Sequence, residues 1–334
     1  MKFIFTCDEL SSQIMLEEFE QKDPKFKMIK WLNGGIGLAE TNGNPKEYAH
    51  FINNKPIIFV RHICKVDLVL TYYSNWKYKV ISLAKNKLDK TKSFSIQLRH
   101  NTNLDLNTNQ ILTELSTKIC GQGFTLDVKN CEQVVSIFID NQDIYCGVDS
   151  VENNLSKFKG GIPHYAENED FVCRAEFKMM EALDVFKINT SNLKTGVDFG
   201  SAPGGWTKVL AENGINMVAI DPAEMNNKVL ALDNVEHKKM TIQEYFFHYN
   251  DKKFDIIVND MKMDVQKSIQ LTSQFYDKLN PNGIIIMTFK LPKNYTLELI
   301  NKNIEFLQKK FKLITARQLF YNRSEITVLA KSYC

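Results

Sequence analysis

At 334 residues the chain is long enough for two or three domains and for a core that needs no disulfide staples. An apolar fraction of 44% with 24% charged residues is that of a folded globular protein and excludes wholesale disorder. Lys+Arg 42 against Asp+Glu 39 leaves a net charge of +3, too little for capture of nucleic acid by bulk charge, so any such binding must be local.

The seven cysteines form no C-x-x-C pair and the six histidines show no ligand spacing. Free thiols in a reducing compartment are therefore expected, with neither a disulfide framework nor a metal site. The opening MKFIFTCDEL lacks the basic and apolar regions of a secretory signal. The longest apolar runs, Pro56–Val60 and Ile284–Met287, fall far short of the roughly 20 residues that span a bilayer. The expectation is a soluble, cytoplasmic protein without membrane contact.

Three modules follow from pattern. In the first, 1–75, Lys2–Cys7 reads as a strand, Ser11–Glu20 as an amphipathic helix, and Asn33–Gly37 as the turn of a glycine-broken hairpin. In the second, 76–158, Ser93–Arg99 alternates as a strand, and Thr108–Cys120 has helical spacing through Ile111, Leu112, Leu115 and Ile119. Phe124–Val128 and Val134–Ile139 are expected strands, and Glu152–Asp170 reads as a linker. In the third, 159–334, β-type runs alternate with helical segments: Gly196–Phe199, Met217–Ile220, Val235–Met240, Phe254–Val258 and Ile284–Phe289. That alternation predicts an α/β domain with a doubly wound, mostly parallel sheet. Lys312–Phe320 and Ile326–Ala330 are joined by too few residues for a parallel crossover, so the final strand should be antiparallel. A Rossmann-like sheet ending in this way is the layout of class I methyltransferases.

After the first strand of this domain comes Asp198-Phe-Gly-Ser-Ala-Pro-Gly-Gly-Trp206, leading into a helix. Gly200, Gly204 and Gly205 let backbone approach a ligand in the crevice at the carboxyl end of a sheet, with Asp198, Ser201, Pro203 and Trp206 beside them. The spacing is not the G-x-G-x-x-G of dinucleotide sites. Asp221 closes the second strand, where a carboxylate can accept hydrogen bonds from ribose hydroxyls. A nucleoside carrying a cation, S-adenosylmethionine, suits this pattern better than a pyrophosphate.

Four charged residues are expected on the same edge. Asp260 ends the fourth strand, Lys290 ends the fifth, Glu325 begins the reversed last strand, and Lys178 lies in the helix preceding the first. Each alone has the bland reading of a surface charge. Their joint placement is what points to chemistry.

The strings CRAEFKMMEAL, DFGSAPGGW, NDM, FKLP and YNRSEITVLA resemble the FtsJ-type RNA 2′-O-ribose methyltransferases, whose catalytic tetrad reads Lys-Asp-Lys-Glu. The last two strings are most similar to the THUMP-containing, RlmM-like branch acting on ribosomal RNA. The resemblance implies that the third module is the catalytic domain and that Lys178, Asp260, Lys290 and Glu325 are the tetrad. It also implies an N-terminal ferredoxin-like module, a THUMP-like RNA-binding module and a structured RNA substrate of the 23S type. The segment KKMTIQEY departs from the family where an acidic residue often reads adenine, leaving Thr241, Gln243 or backbone for that contact. Transfer RNA as substrate, and a non-catalytic RNA-binding or assembly factor retaining the fold, are the alternatives.

In such chemistry Lys290 orients the hydroxyl, acting either as a neutral base or as a fixed cation beside the forming oxyanion. Exocyclic-amine methylation is disfavoured because Asn259-Asp260-Met261-Lys262 is not an N/D-P-P-Y/F string. Cytosine-C5 chemistry lacks its nucleophile, since no cysteine falls between Cys173 and Cys334. Candidate phosphate contacts are Arg99, His100, Lys157, Lys159, Lys238 and Lys239. Trp76 with Tyr72, Tyr73 and Tyr78, interleaved with Lys77 and Lys79, is either a base-stacking set or aromatic core.

Overall fold

The computed structural model describes residues 1–42, 57–72, 75–101, 103–167, 169–249 and 251–333. It divides into two compact units, Met1–Pro163 and His164–Cys334.

The N-terminal unit holds two four-stranded sheets. Strands β1 (Lys2–Cys7), β2 (Lys27–Asn33), β3 (Ile36–Glu40) and β4 (Val60–Val66), with helix α1 (Ser12–Lys22), make the first, in the order β2-β3-β1-β4 with every pairing antiparallel. Its centre, β1, is buried along all but its first residue, as its apolar run requires. The second sheet combines β5 (Leu68–Thr71), β6 (Phe94–His100), β7 (Gln133–Ile139) and β8 (Asp143–Ser150) in the order β5-β8-β7-β6, with α2 (Trp76–Lys87) and α3 (Thr108–Cys120). Only β6 and β7 are parallel, and α3 is the crossover between them. The change of sheet comes between Val66 and Leu68, ahead of residue 75.

The expected strand Phe124–Val128 is not one. A single bridge links Leu126 to Phe94, and the Asp127 carboxylate accepts the N–H groups of Lys129 and Asn130, turning the chain away before a ladder can extend.

The C-terminal unit is a seven-stranded sheet between helices. In chain order it runs α4 (Ala175–Val185), β9 (Thr195–Phe199), α5 (Gly205–Glu212), β10 (Asn216–Ile220), α6 (Asn227–Leu230), β11 (Val235–Lys238), α7 (Ile242–His248), β12 (Phe254–Asn259), α8 (Val265–Ser273), β13 (Leu279–Lys290), α9 (Leu297–Gln308), β14 (Phe311–Arg317) and β15 (Glu325–Ser332). The strand order is β11-β10-β9-β12-β13-β15-β14. Strands β9 to β13 are parallel, and β15 is antiparallel to both β13 and β14. The expected reversal is therefore present, with the last strand of the sequence inserted inside the sheet rather than at its border.

This topology positions the site. From β9 the chain winds outward through β10 and β11, then returns to the other side of β9 for β12 and β13. The loops after β9 and β12 consequently diverge and leave a crevice at the carboxyl edge. Beneath it, Val197, Ile256, Val258 and Ile286 are fully buried, which fixes the strands that carry the edge loops. Strand β14 stops at Arg317, short of the expected Phe320: beyond it Asn322 Oδ1 accepts the Leu319 N–H, and the carboxylate of Glu181 accepts those of Phe320 and Tyr321 at 2.7 and 2.9 Å.

Candidate active site

Four segments deliver the charged residues to one place. Asp260 follows β12, where buried Asn259 turns the chain: its side-chain oxygen accepts the Met261 N–H at 3.0 Å while its amide donates to Ser268 and Thr272. Lys290 ends β13 and stands directly opposite Glu325, the first residue of β15, in the antiparallel register. Lys178 reaches in from the first half of α4.

The four side chains close into a ring of ion pairs. Lys290 Nζ donates to Asp260 Oδ1 at 2.5 Å and to Glu325 Oε2 at 2.5 Å. Lys178 Nζ lies 3.1 Å from Asp260 Oδ2 and also pairs with Glu325 Oε1. Thr288 Oγ1 donates to Asp260 Oδ1 at 2.7 Å. Each ammonium thus bridges both carboxylates, and the ring as a whole is charge-neutral. Burial alone would lower the Lys178 ammonium, but the charges of Asp260 and Glu325 outweigh it and hold the group above the ordinary lysine range. Glu325 is nearly closed off at 7% side-chain exposure, whereas Lys178, Asp260 and Lys290 keep 18%, 20% and 22%, so the ring meets solvent at every member but Glu325.

The loop after β9 forms the adjoining wall. Gly200 has φ +70° and Gly204 φ +111°, conformations that side chains resist. A Cβ on Gly204 would sit 2.7 Å from Met225 Cε, and one on Gly205 would sit 2.6 Å from Cys173 Sγ. Asp221 fastens the loop: one of its oxygens accepts the Ala202 N–H at 3.0 Å and the other accepts the Ala223 N–H at 2.8 Å. A carboxylate has about four acceptor positions, so both oxygens keep capacity for ribose hydroxyls. Ser201 Oγ lies against Met225 Sδ at 3.4 Å, and Pro203 carries its carbonyl to the Asn226 N–H.

Asp198 is buried, and burial, with the charges of Asp260 and Asp221 adding to it, pushes its carboxyl up to about 7. The hydroxyl of Thr207 donates to it at 2.7 Å and works the other way. Trp206 stands apart from the other expected cofactor residues, because its indole packs in the core with Met179, Ala182 and Val209.

Other expectations resolve against the structure. Thr241 spends its hydroxyl on a capping box with Glu244 at the start of α7, which leaves Gln243 exposed. Lys238 pairs with Glu236 and Lys239 with Glu224. Arg99 donates to Thr6 Oγ1 and lies over the Phe138 ring, while the His100 ring contacts the Asn101 carbonyl. Lys157 and Lys159 are exposed. Trp76 is buried in the core of the second sheet with Tyr72 packed against that core, whereas Tyr78 is 74% exposed. Tyr73 lies outside the described residues.

Several residues of the site have no motif to announce them. Glu176 and Lys208 form a buried pair at 3.0 Å that ties α4 to α5 under the loop, and Glu176 also accepts the Val172 N–H. Burial would lower the Lys208 ammonium, but its bonds to Glu212 and Glu176 raise it. Glu181, three residues beyond Lys178 on α4, pins the loop that presents Glu325. Thr288 alone had a signal, since it lies two residues before Lys290 and so on the same strand face.

Among the described residues no group of three or more His, Cys, Asp or Glu is arranged to hold a metal ion, and no helix is long and apolar enough to cross a membrane.

Residues 171–325 match the family model of the FtsJ-like methyltransferases. An uncharacterized protein of Methanocaldococcus jannaschii is 31% identical over 188 residues, covering 54% of this chain and 52% of that one. A protein of Psychromonas ingrahamii named ribosomal RNA large subunit methyltransferase M is 30% identical over 204 residues, covering 57% and 54%. One of Rickettsia akari named ribosomal RNA large subunit methyltransferase E is 27% identical over 151 residues, covering 44% and 64%. The chain thus spans about half the length of the first two relatives. The ring of charges, the glycine loop beside it and the family match all fall within one unit of the fold, and it is this unit that is similar to the FtsJ-like methyltransferases.

Proposed function

We propose that the chain transfers a methyl group from S-adenosylmethionine to a ribose 2′-hydroxyl of ribosomal RNA, of the large-subunit type, in the cytoplasm. The observation that carries the reading is the closed Lys178–Asp260–Lys290–Glu325 ring beside the glycine loop. The names of the relatives support the RNA class. In the N-terminal unit, the second sheet with its two helices is assigned as a THUMP-like RNA-binding module, and the first sheet as a ferredoxin-like one.

When bound, S-adenosylmethionine supplies an electrophilic methyl on a sulfonium. The residues of the Asp198–Gly205 loop, with Asp221, would hold it. Their fit rests on the donor set: a carboxylate with spare acceptor positions at the end of β10, and backbone opened by two left-handed glycines. Lys290 has three N–H donors, of which two are spent on Asp260 and Glu325. The third is free to donate to the 2′-oxygen, aligning it for in-line displacement and stabilising the negative charge that grows on it as its proton passes to solvent; the O–CH3 bond forms as the S–CH3 bond breaks, and S-adenosylhomocysteine would leave as the neutral thioether. Asp260 and Glu325 fix Lys290 from two sides, and Thr288 fixes Asp260. Lys178 neutralises the second oxygen of each carboxylate, so neither draws the Lys290 ammonium out of position.

The test is Lys290→Ala, with methyl transfer and cofactor binding measured separately. Transfer should fall by about 10³-fold or more, since the variant loses orientation and charge stabilisation together. The calorimetric affinity for S-adenosylmethionine should change by less than about threefold, because Lys290 lies outside the loop. Retained turnover would refute the assignment.

A further inference from the structure

The ring of four charges cancels itself and offers no field to attract a polyanion. The field has to come from around it, and the loops that carry the ring hold the means. Lys262 lies two residues after Asp260, Lys293 three after Lys290, and Arg323 two before Glu325. All three are exposed, and none enters an ion pair among the described residues. Elsewhere in this unit Lys208, Lys238, Lys239, Lys252, Lys278 and Lys302 each have a carboxylate partner, whereas Lys309, Lys310 and Lys312 enter no ion pair among the described residues, so it is their place beside the ring that singles out Lys262, Lys293 and Arg323. On the three ring-bearing stretches the acidic residue besides Asp260 and Glu325 is Asp264, whose side chain is spent capping α8 through the Lys267 N–H.

These loops are fixed rather than loose. Asn259 and the Met263 N–H to Met261 carbonyl bond shape the first. Glu181, 2% exposed, pins the third with both carboxylate oxygens, and Asn322 Oδ1 accepts the Leu319 N–H within it. The Leu291 N–H donates to the Ser324 carbonyl at 2.8 Å and ties the second loop to the third. Cations on anchored backbone lose less freedom when they bind than cations on free loops do.

We propose that Lys262, Lys293 and Arg323 form a phosphate grip around the ring, holding the backbone phosphates that flank the nucleotide whose ribose is presented to Lys290. The inference rests on the reading that the substrate is RNA. Its occupant is the sugar–phosphate backbone of an unpaired stretch, where base identity contributes nothing to these three contacts.

The test uses the full chain and a fluorescein-labelled single-stranded RNA of mixed sequence, about 20 nucleotides long. Binding is followed by anisotropy from 50 to 300 mM KCl. The wild type is compared with K262Q/K293Q/R323Q and with K309Q/K310Q/K312Q, which removes the same charge from exposed positions at the opposite edge of the sheet. Each phosphate contact on a single strand contributes about 0.7 to the slope of log affinity against log salt. The grip variant should therefore lose about 2 from that slope and bind at least tenfold more weakly at low salt, while the control stays within about 0.5. Equal effects in the two variants, an unchanged slope in the first, or no binding by the wild type overturns the grip. Methyl transfer is measured on the same proteins. A wild type that binds RNA through this grip but methylates none would overturn the functional reading and leave the grip standing. A wild type that methylates RNA with the slope unchanged in the grip variant would do the reverse.

Discussion

Asp198 is a carboxyl buried beside the site. Its carboxyl is pushed up to about 7 from an ordinary 3.8, chiefly by burial. The folded protein therefore holds a proton there that the unfolded chain releases near pH 4. Between those values the native state binds more protons, so this group's contribution to stability falls as pH rises through the window and levels off above about 7. Integrating the two titrations gives a loss of about 2–3 kcal/mol between pH 5 and pH 8, an order-of-magnitude figure. Asp198→Asn keeps the shape and an acceptor for Thr207 but cannot ionise. Its stability relative to wild type should accordingly improve by about that amount from pH 5 to pH 8. The chain has 3 tryptophans, and with Trp31 and Trp76 changed to Phe the remaining Trp206 reports the C-terminal unit alone. Urea unfolding followed by its fluorescence, at several pH values and without cofactor, gives the comparison. Parallel pH profiles for the two proteins would refute the reasoning, because they would mean that Asp198 ionises in the native state as freely as in water.

Two further outcomes follow from packing. Trp76→Ala should destabilise the N-terminal unit by about 3–5 kcal/mol and Tyr78→Ala by less than about 0.5, since one ring is core and the other is exposed; equal effects in thermal unfolding would contradict that division. Glu181→Ala orphans the N–H groups of Phe320 and Tyr321, at about 1–3 kcal/mol each, and should lower turnover with no change in cofactor affinity, because the loop presenting Glu325 loses its anchor. A variant as stable and active as wild type in unfolding and transfer assays would remove Glu181 from the account.

Much of the C-terminal unit was legible in the sequence because its strands are buried on both faces and its helices intervene regularly. Asp260, Lys290 and Glu325 could be placed on one edge from strand direction alone, since parallel strands bring their carboxyl ends together and a reversed strand brings its start. Local spacing could not reveal partners joined only by the fold. Glu181 and the N–H groups it serves are separated by 139 and 140 residues, and Glu176 and Lys208 by 32. Trp206 shows what spacing does not give: it belongs to the glycine string in sequence, yet the turn into α5 directs its ring to the core. Phe124–Val128 had strand-like residues, but the turn at Asp127 prevailed over their propensity.

The central claim is the reaction itself, and the chemical identity of the product tests it most directly. Purified protein is incubated with tritiated S-adenosylmethionine and unmodified large-subunit ribosomal RNA, wild type beside Lys290→Ala, and the RNA is digested to nucleosides and separated. The account predicts label in a 2′-O-methylnucleoside with the wild type and none with the variant. Label in a base-methylated nucleoside, or equal label from both proteins, would contradict it.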